Sequence, residues 1–408
     1  MQSIIVFSHL RWNFVFQRPQ HLMTRLAEHY RIVFVEEPER VTGSPHWKNT
    51  QVAENILVCT PQTTIDAPGF HDAQLPVLKE LLGELVEDHS LQQPMVWLYT
   101  PMALPLVGSL GAKRIVYDCM DELSAFKNAP RQLIQREHAL LKTCDLVLAG
   151  GPSLFKAKRA RHHAVHCFPS SVDREHFAVA SDSSLDHPSQ AALAHPRLGF
   201  FGVIDERLDI ELIAKTAVAH PDWQIVLVGP VVKIDPASLP KLPNIHYYGP
   251  QPYSDLPKFL AGWDVCLLPF ALNEATRFIS PTKTLEYMAA DKAIVSTPVT
   301  DVAEPYSHVV RIAEGEEFIR QCQLALTEST SARQRRIAES RTIIANTSWA
   351  LTVQRIRQLL ESPLTGQRPA LADGRLAHAA RSAEPMSVPQ VVDGANLRDS
   401  AQLLTASS

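Results

Sequence analysis

Short apolar runs alternate with amphipathic segments along most of this chain. Ser3 to Phe7 reads as a buried strand. Arg18 to His29 repeats apolar residues at helical spacing, with Leu22 and Leu26 on one face. Ile32 to Glu36, Ile56 to Cys59, Met95 to Tyr99, Arg114 to Asp118 and Leu146 to Ala149 read as further strands. A helix around Leu133 to Lys142 precedes the last of them. Strands apolar throughout and separated by helices are covered on both faces, which predicts a parallel sheet. Residues 1–175 are therefore expected to form a doubly wound, Rossmann-like α/β domain.

The pattern weakens after Val165 to Phe168. Ala178 to His195 is rich in Ala, Ser, Asp and Pro, and residues 176–195 are expected to connect two domains. Leu198 to Gly202 starts a second strand–loop–helix series. It continues at Trp223 to Val228, Ile245 to Tyr248, Val265 to Pro269 and Ile294 to Thr297. A second Rossmann-like domain is expected over 196–345, then a closing helix over 346–362, within helical spacing that runs from Ser331 to Glu361. Residues 363–408 lack sustained periodicity and read as a disordered tail without a catalytic part.

The 408 residues exceed one ordinary core, in keeping with two domains. A hydrophobic content of 45% suits a soluble globular protein, and the formal charge of −4 gives no reason to expect nucleic acid. Lys156, Lys158, Arg159 and Arg161 cluster locally. They form either a solvated helix end or a patch attracted to an anionic membrane surface. The six cysteines are scattered without a CxxC or Cys/His cluster, as expected of free thiols in a reducing cytosol. The first residues read as a strand rather than a leader, and no run nears the ~18 apolar residues of a spanning helix. A cytoplasmic protein is expected, with the inner face of the cytoplasmic membrane as a peripheral alternative. His162, His163 and His166 are close in sequence, but no carboxylate or Cys has ligand spacing to them, so no metal is expected.

Candidate chemistry gathers in a few loops. Ser280-Pro281-Thr282-Lys283 opens a short helix with small hydroxyls and a proline, which directs backbone N–H groups and a positive dipole end at an anion such as a diphosphate. Glu286 lies about one turn further on, where a carboxylate takes the hydroxyls of a ribose. Asp118-Cys119-Met120-Asp121-Glu122 follows a strand, at the end where ligands collect in a parallel sheet. If the reaction inverts an anomeric centre, Asp121 is placed to take a proton from the attacking hydroxyl, and if it retains, to position the sugar; helix capping by Asp118 or Asp121 is the alternative. Arg18 and His21 open the first helix and either face a phosphate or sit at an exposed helix start. His9 and Arg11 make the first loop bulky, on what would be an acceptor side. The polar run Asn273-Glu274-Ala275-Thr276 either reads sugar hydroxyls or is a solvated loop.

Over about Ser3 to Glu361 the chain resembles the GT-B glycosyltransferases of group 1 (family 4-like). Within them it is similar to a bacterial subgroup tied to cell-surface polysaccharides of the teichuronic-acid type. The resemblance is carried by Phe7-Ser8-His9-Leu10-Arg11-Trp12, Gln17-Arg18-Pro19-Gln20-His21, Cys144 to Gly150, Leu227-Val228-Gly229-Pro230, Tyr253-Ser254-Asp255-Leu256-Pro257 and Asn273 to Thr276. Phe168-Pro169-Ser170-Ser171-Val172-Asp173 resembles the Pro-Asn-Gly-Val-Asp hinge, with Ser170 and Ser171 in place of Asn and Gly. The resemblance implies two domains facing a cleft. It implies a nucleoside-diphosphate sugar as substrate, no further cofactor, and a glycan or lipid-linked acceptor. Gly229, Glu274, Thr276, Ser280, Pro281, Thr282, Lys283 and Glu286 would hold the donor. His9, Arg11, Arg18, His21 and Asp118 would face the acceptor, and Asp121, Arg207 and Lys283 would serve the chemistry. Trp349 would help pack the last helix on the first domain.

The departures from the family pattern are specific. Phe278 occupies the first position of a glutamate pair whose second is Glu286. Val203 and Leu208 stand where an Arg and a Lys are usual, which leaves Arg207, Lys283 and Lys233 as candidate substitutes. A nucleotide-sugar 2-epimerase of the same fold and a non-catalytic nucleotide-sugar sensor are the alternative readings.

Overall fold

The computed structural model describes residues 1–127 and 129–363, so a tail beyond Pro363 lies outside the described residues. One sheet holds β1 (Ser3–Phe7), β2 (Arg31–Val35), β3 (Glu39–Arg40), β4 (His46–Ala53), β5 (Ile56–Thr63), β6 (Met95–Leu98), β7 (Arg114–Cys119), β8 (Leu146–Ala149) and β9 (Val165–Cys167). Its order is β3-β5-β2-β1-β6-β7-β8-β9, with β4 antiparallel on β5 and the other pairs parallel. The second sheet holds β10 (Arg197–Phe201), β11 (Gln224–Val228), β12 (Ile245–Tyr247), β13 (Val265–Leu268), β14 (Ala293–Ser296) and β15 (Arg311–Ile312). It is parallel throughout, in the order β12-β11-β10-β13-β14-β15. The helices are α1 (Arg18–Leu26), α2 (Leu75–Asp88), α3 (Arg131–Thr143), α4 (Pro152–Lys158), α5 (Arg174–Ala178), α6 (Ile210–Ala219), α7 (Leu256–Ala261), α8 (Lys283–Ala289), α9 (Thr300–Tyr306), α10 (Gly315–Leu326), α11 (Thr330–Ala345) and α12 (Trp349–Glu361).

The apolar runs became the central strands because both faces of each sheet are covered: β1, β6, β7 and β8 are buried almost end to end. The strand β4 lies outside the expected set. It is mostly polar and exposed, and it is held by pairing with β5 and by Trp47, whose Nε1 donates to the Leu81 carbonyl of α2 at 2.8 Å. The segment 178–195 does more than connect. The buried Gln190 accepts from Trp263 Nε1 at 3.0 Å and donates to the Phe259 carbonyl at 2.8 Å, while Asp186 pairs with Arg197 at 2.5 Å. It is stitched to the second sheet's layer.

The long helical stretch breaks after Ala345, and Ser348 caps α12 by accepting from the Leu351 amide. The helix α12 then returns to the first domain. The Trp349 ring stacks on His21 at 4.5 Å, and the Ser171 and Thr352 hydroxyls are 2.7 Å apart. In both sheets the chain runs outward in two directions from one strand, β1 and β10. That reversal opens a crevice beyond the strands' carboxyl ends.

Trp349 is fully buried among first-domain side chains. Trp349→Ala is expected to cost about 3–5 kcal/mol of first-domain stability. Hydrogen exchange should quicken at the β1 and β6 amides and hold at those of β10 and β13. Equal loss in both sheets would show that α12 does not belong to the first domain's core.

Candidate functional site

Between the sheets lies a cavity of about 450 Å³, a size suited to a nucleotide-sized ligand. Its walls are the segments just past the carboxyl ends of strands. Trp12 to Arg18 follow β1, Met120 and Asp121 follow β7, and Gly150 follows β8; Gly202 and Arg207, Gly229, and Phe270 come from the second sheet. Ser280 to Lys283 and Glu286 complete the second domain's side.

Two bare glycines shape that side. Gly202 and Gly229 have φ of +140° and +146°, in the region that favours glycine. A Cβ on Gly229 would fall 1.9 Å from the Gly202 carbonyl oxygen, and one on Gly202 would fall 2.1 Å from Lys283 Cε. Lys283 thus reaches over naked backbone, its ammonium 5.6 Å from the centre of the Phe200 ring. Among the described residues it has no ion-pair partner within 4.0 Å. Burial pulls its pKa down, against the pull of nearby Glu286. Burial in turn pushes the Glu286 carboxyl up to about 7, with Lys283 opposing. The amides of Thr284, Leu285 and Glu286 are taken by the carbonyls of Pro281 and Thr282. The amides left to an anion at this corner are those of Ser280, Thr282 and Lys283, which meet no acceptor among the described residues, beside the Lys283 side chain.

Asp121 faces this pair from the first domain. Burial raises its pKa; Arg207 opposes and Asp205 adds to the rise. Arg207 lines the cavity, but its charge is engaged by the buried Asp205, with Nε at 3.0 Å from Oδ1 and Nη2 at 2.8 Å from Oδ2. Arg18 also lines the cavity and is committed. It sits 2.9 Å from Asp118 Oδ1 with both side chains buried, and its Nη1 donates to the Phe168 carbonyl at 2.8 Å. Asp118 lies within β7 and caps no helix. His21 is in the wall too, but burial drives its pKa to about 3, so it is neutral there and offers a phosphate no charge.

Several expected residues lie elsewhere. His9 is outside the cavity wall and is held neutral, its pKa near 4, by burial and Lys233. Arg11 fastens its loop to the end of β2, donating to Glu36 at 3.1 Å and to the Glu37 carbonyl at 2.6 Å. Glu274 is exposed and pairs with Arg277 at 3.5 Å. The Thr276 hydroxyl closes a capping box with Asn273. Lys233 lies over the Phe126 ring, 5.0 Å from its centre. The basic cluster is largely spent on ion pairs: Lys158 with Glu122 and Glu137, Arg161 with Glu137, and Lys156 with Glu304. Two wall residues carried no chemical signal in the sequence. They are Phe16, whose ring is 4.7 Å from that of Tyr253, and Gly202; Asp205, the buried partner of Arg207, carried none either. Only the aromatic bulk after β1 hinted at the first.

Two domains with parallel sheets facing one cleft define the GT-B architecture. Solved structures share it. Sucrose-phosphate synthase from Thermosynechococcus elongatus superposes with a TM-score of 0.68 at 14% identity, covering 88% of this chain and 98% of that one. The Escherichia coli trehalose-6-phosphate protein bound with UDP-2-fluoro glucose gives 0.65 at 14% identity, covering 89% and 99%. Anabaena HepE in complex with UDP and glucose gives 0.64 at 14% identity, covering 89% and 100%. Identity at this level speaks for the fold alone. Residues 195–327 match the family model of Glycosyl transferases group 1. That match falls on the second domain, and the fold of the two domains together is of the GT-B kind. Bacillus subtilis TuaH, whose name assigns it to teichuronic acid biosynthesis, is 26% identical over 281 residues, covering 62% of this chain and 68% of its own length.

Among the described residues no helix is long and apolar enough to cross a membrane, and no group of three His, Cys, Asp or Glu side chains is arranged to hold a metal ion.

Because the folded pKa of Glu286 lies above the unfolded value, its protonated form favours the fold. That contribution is present below about pH 4.3 and is lost as pH rises toward 7. Glu286→Gln should flatten the fall in melting temperature of the ligand-free protein between those limits. An unchanged slope would place the titration in another group.

Proposed function

We propose that this protein transfers a hexosyl group from a nucleoside-diphosphate sugar to a glycan or lipid-linked acceptor in the assembly of a cell-surface polysaccharide. One observation carries the reading: Lys283, Glu286 and Asp121 face a single cleft without side-chain hydrogen bonds or ion pairs among the described residues, while the neighbouring Arg18 and Arg207 are paired. A buried charge left unpaired is costly unless a ligand completes it. Lys283 is matched to a diphosphate and Glu286 to ribose hydroxyls. The teichuronic acid name of the B. subtilis relative supports a polysaccharide product, and the UDP in two structural neighbours makes uridine donors the first to test.

In this reading an acceptor hydroxyl attacks the anomeric carbon. The bond from that carbon to the diphosphate oxygen breaks, and Lys283 stabilises the charge on the departing diphosphate. If the reaction inverts the centre, Asp121 takes the hydroxyl proton, and its raised pKa makes it a better base. If configuration is retained, Asp121 positions the sugar. Leaving-group charge is assigned to Lys283 rather than to a cation, so transfer is expected to persist in EDTA. A second reading is a nucleotide-sugar sensor without turnover. It is favoured by Phe278, which stands at the usual glutamate position and packs against the first domain's core.

Incubation with UDP-, GDP- and ADP-hexoses, with products resolved by mass and NMR, separates transfer, epimerisation and binding alone. Asp121→Asn should slow transfer by about 10²–10⁴-fold while leaving donor affinity and melting temperature near normal. Transfer at the wild-type rate would remove the base assignment. Lys283→Met and Glu286→Ala should each weaken binding of the nucleoside diphosphate identified in the screen. Unchanged affinity in both would remove the donor site.

A further inference from the structure

The two domains meet directly at one edge of the cleft. There the Asp301 carboxylate of α9 accepts a hydrogen bond from the Ser153 amide of α4 at 3.0 Å. Asp301 is buried, and its second oxygen has no partner. One turn further, Lys156 of α4 pairs with Glu304 of α9 at 3.0 Å. The closest approach is at Gly151, just before α4. A Cβ there would fall 2.2 Å from Asp301 Oδ2 and 2.7 Å from Ser280 Cβ, both of the other domain. The backbone of Gly151 does not itself call for glycine: φ is −174° and ψ 168°, an extended conformation open to any residue. Only the second domain forbids a side chain.

We infer that Gly151 and Asp301 set the spacing of the two domains and so position the Ser280–Lys283 loop against the strand ends that carry Asp121. With sugar transfer as proposed above, the base and the donor come from opposite domains, so the distance between them is decided by interdomain contacts. The bare Gly151 lets the domains come together, and Asp301 holds them there by capping α4 across the interface. Neither residue touches substrate in this arrangement. Both are positioning residues, and their effect is on turnover rather than on the fold of either domain.

A graded wedge tests this. Gly151→Ala and Gly151→Val add one and three carbons at the contact, and Asp301→Ala removes the cap. Small-angle X-ray scattering on the full chain with saturating uridine diphosphate reads domain spacing; turnover and melting temperature are measured beside it. The radius of gyration should rise from wild type to Ala to Val. Turnover should fall in the same order, by on the order of 10²-fold for Val, since a misplacement of about 1 Å costs that much. Donor KM should shift by far less, and melting temperature should hold, at least in the Ala variant. Asp301→Ala should also expand the protein. Unchanged scattering in both Gly151 variants and in Asp301→Ala overturns the inference, as does expansion without loss of turnover. If the wild-type protein shows no transfer with any donor, the transfer reading fails while scattering still decides the spacing.

Discussion

Charged side chains placed between two apolar sheets must be paired or be completed by a ligand, and that constraint orders the whole cleft. Arg18 with Asp118 and Arg207 with Asp205 are each solved by a partner. Removing one member of such a pair strands the other in a poorly solvated site. Lys283, Glu286 and Asp121 are left over. Each has its pKa displaced toward the neutral form, chiefly by burial. An anionic ligand beside Lys283 would favour its charged form, in the direction opposite to that of burial.

The scaffold makes this arrangement accessible at the ends of strands. Gly202 and Gly229 bring two backbones close enough that Lys283 can lie across them and project toward the cleft. On the facing side, the loop after β1 fills the wall with aromatic side chains rather than a glycine-rich turn. Phe16 crosses to Tyr253, whose ring in turn stacks on His176 at 4.2 Å. The domains are thus joined by ring contacts on one side of the cleft and by Gly151 with Asp301 on another. Phe278 adds an apolar contact where the family resemblance led to a sugar-binding glutamate.

The local pattern of the chain already determined much of this. Uninterrupted apolar runs specified the central strands of both sheets, because such strands are stable only when covered on both faces. The short spacing from Ser280 to Glu286 was legible too, since a helix turn fixes which of those residues face one way. What only the tertiary structure decided was the fate of each charge. Arg18 and Asp118 are 100 residues apart and Ser153 and Asp301 are 148 apart, and no local spacing tells which partner a side chain will find. The polar strand β4 escaped for a related reason: its stability comes from pairing with β5 rather than from its own apolar content. His9, Arg11, Glu274 and Thr276 looked available in the sequence because polar residues in loops are candidates for ligands and for local hydrogen bonds alike. Folding supplied the competing protein partners for Arg11, Glu274 and Thr276, set His9 behind the cavity wall, and left the ligand only those groups that no protein atom had satisfied.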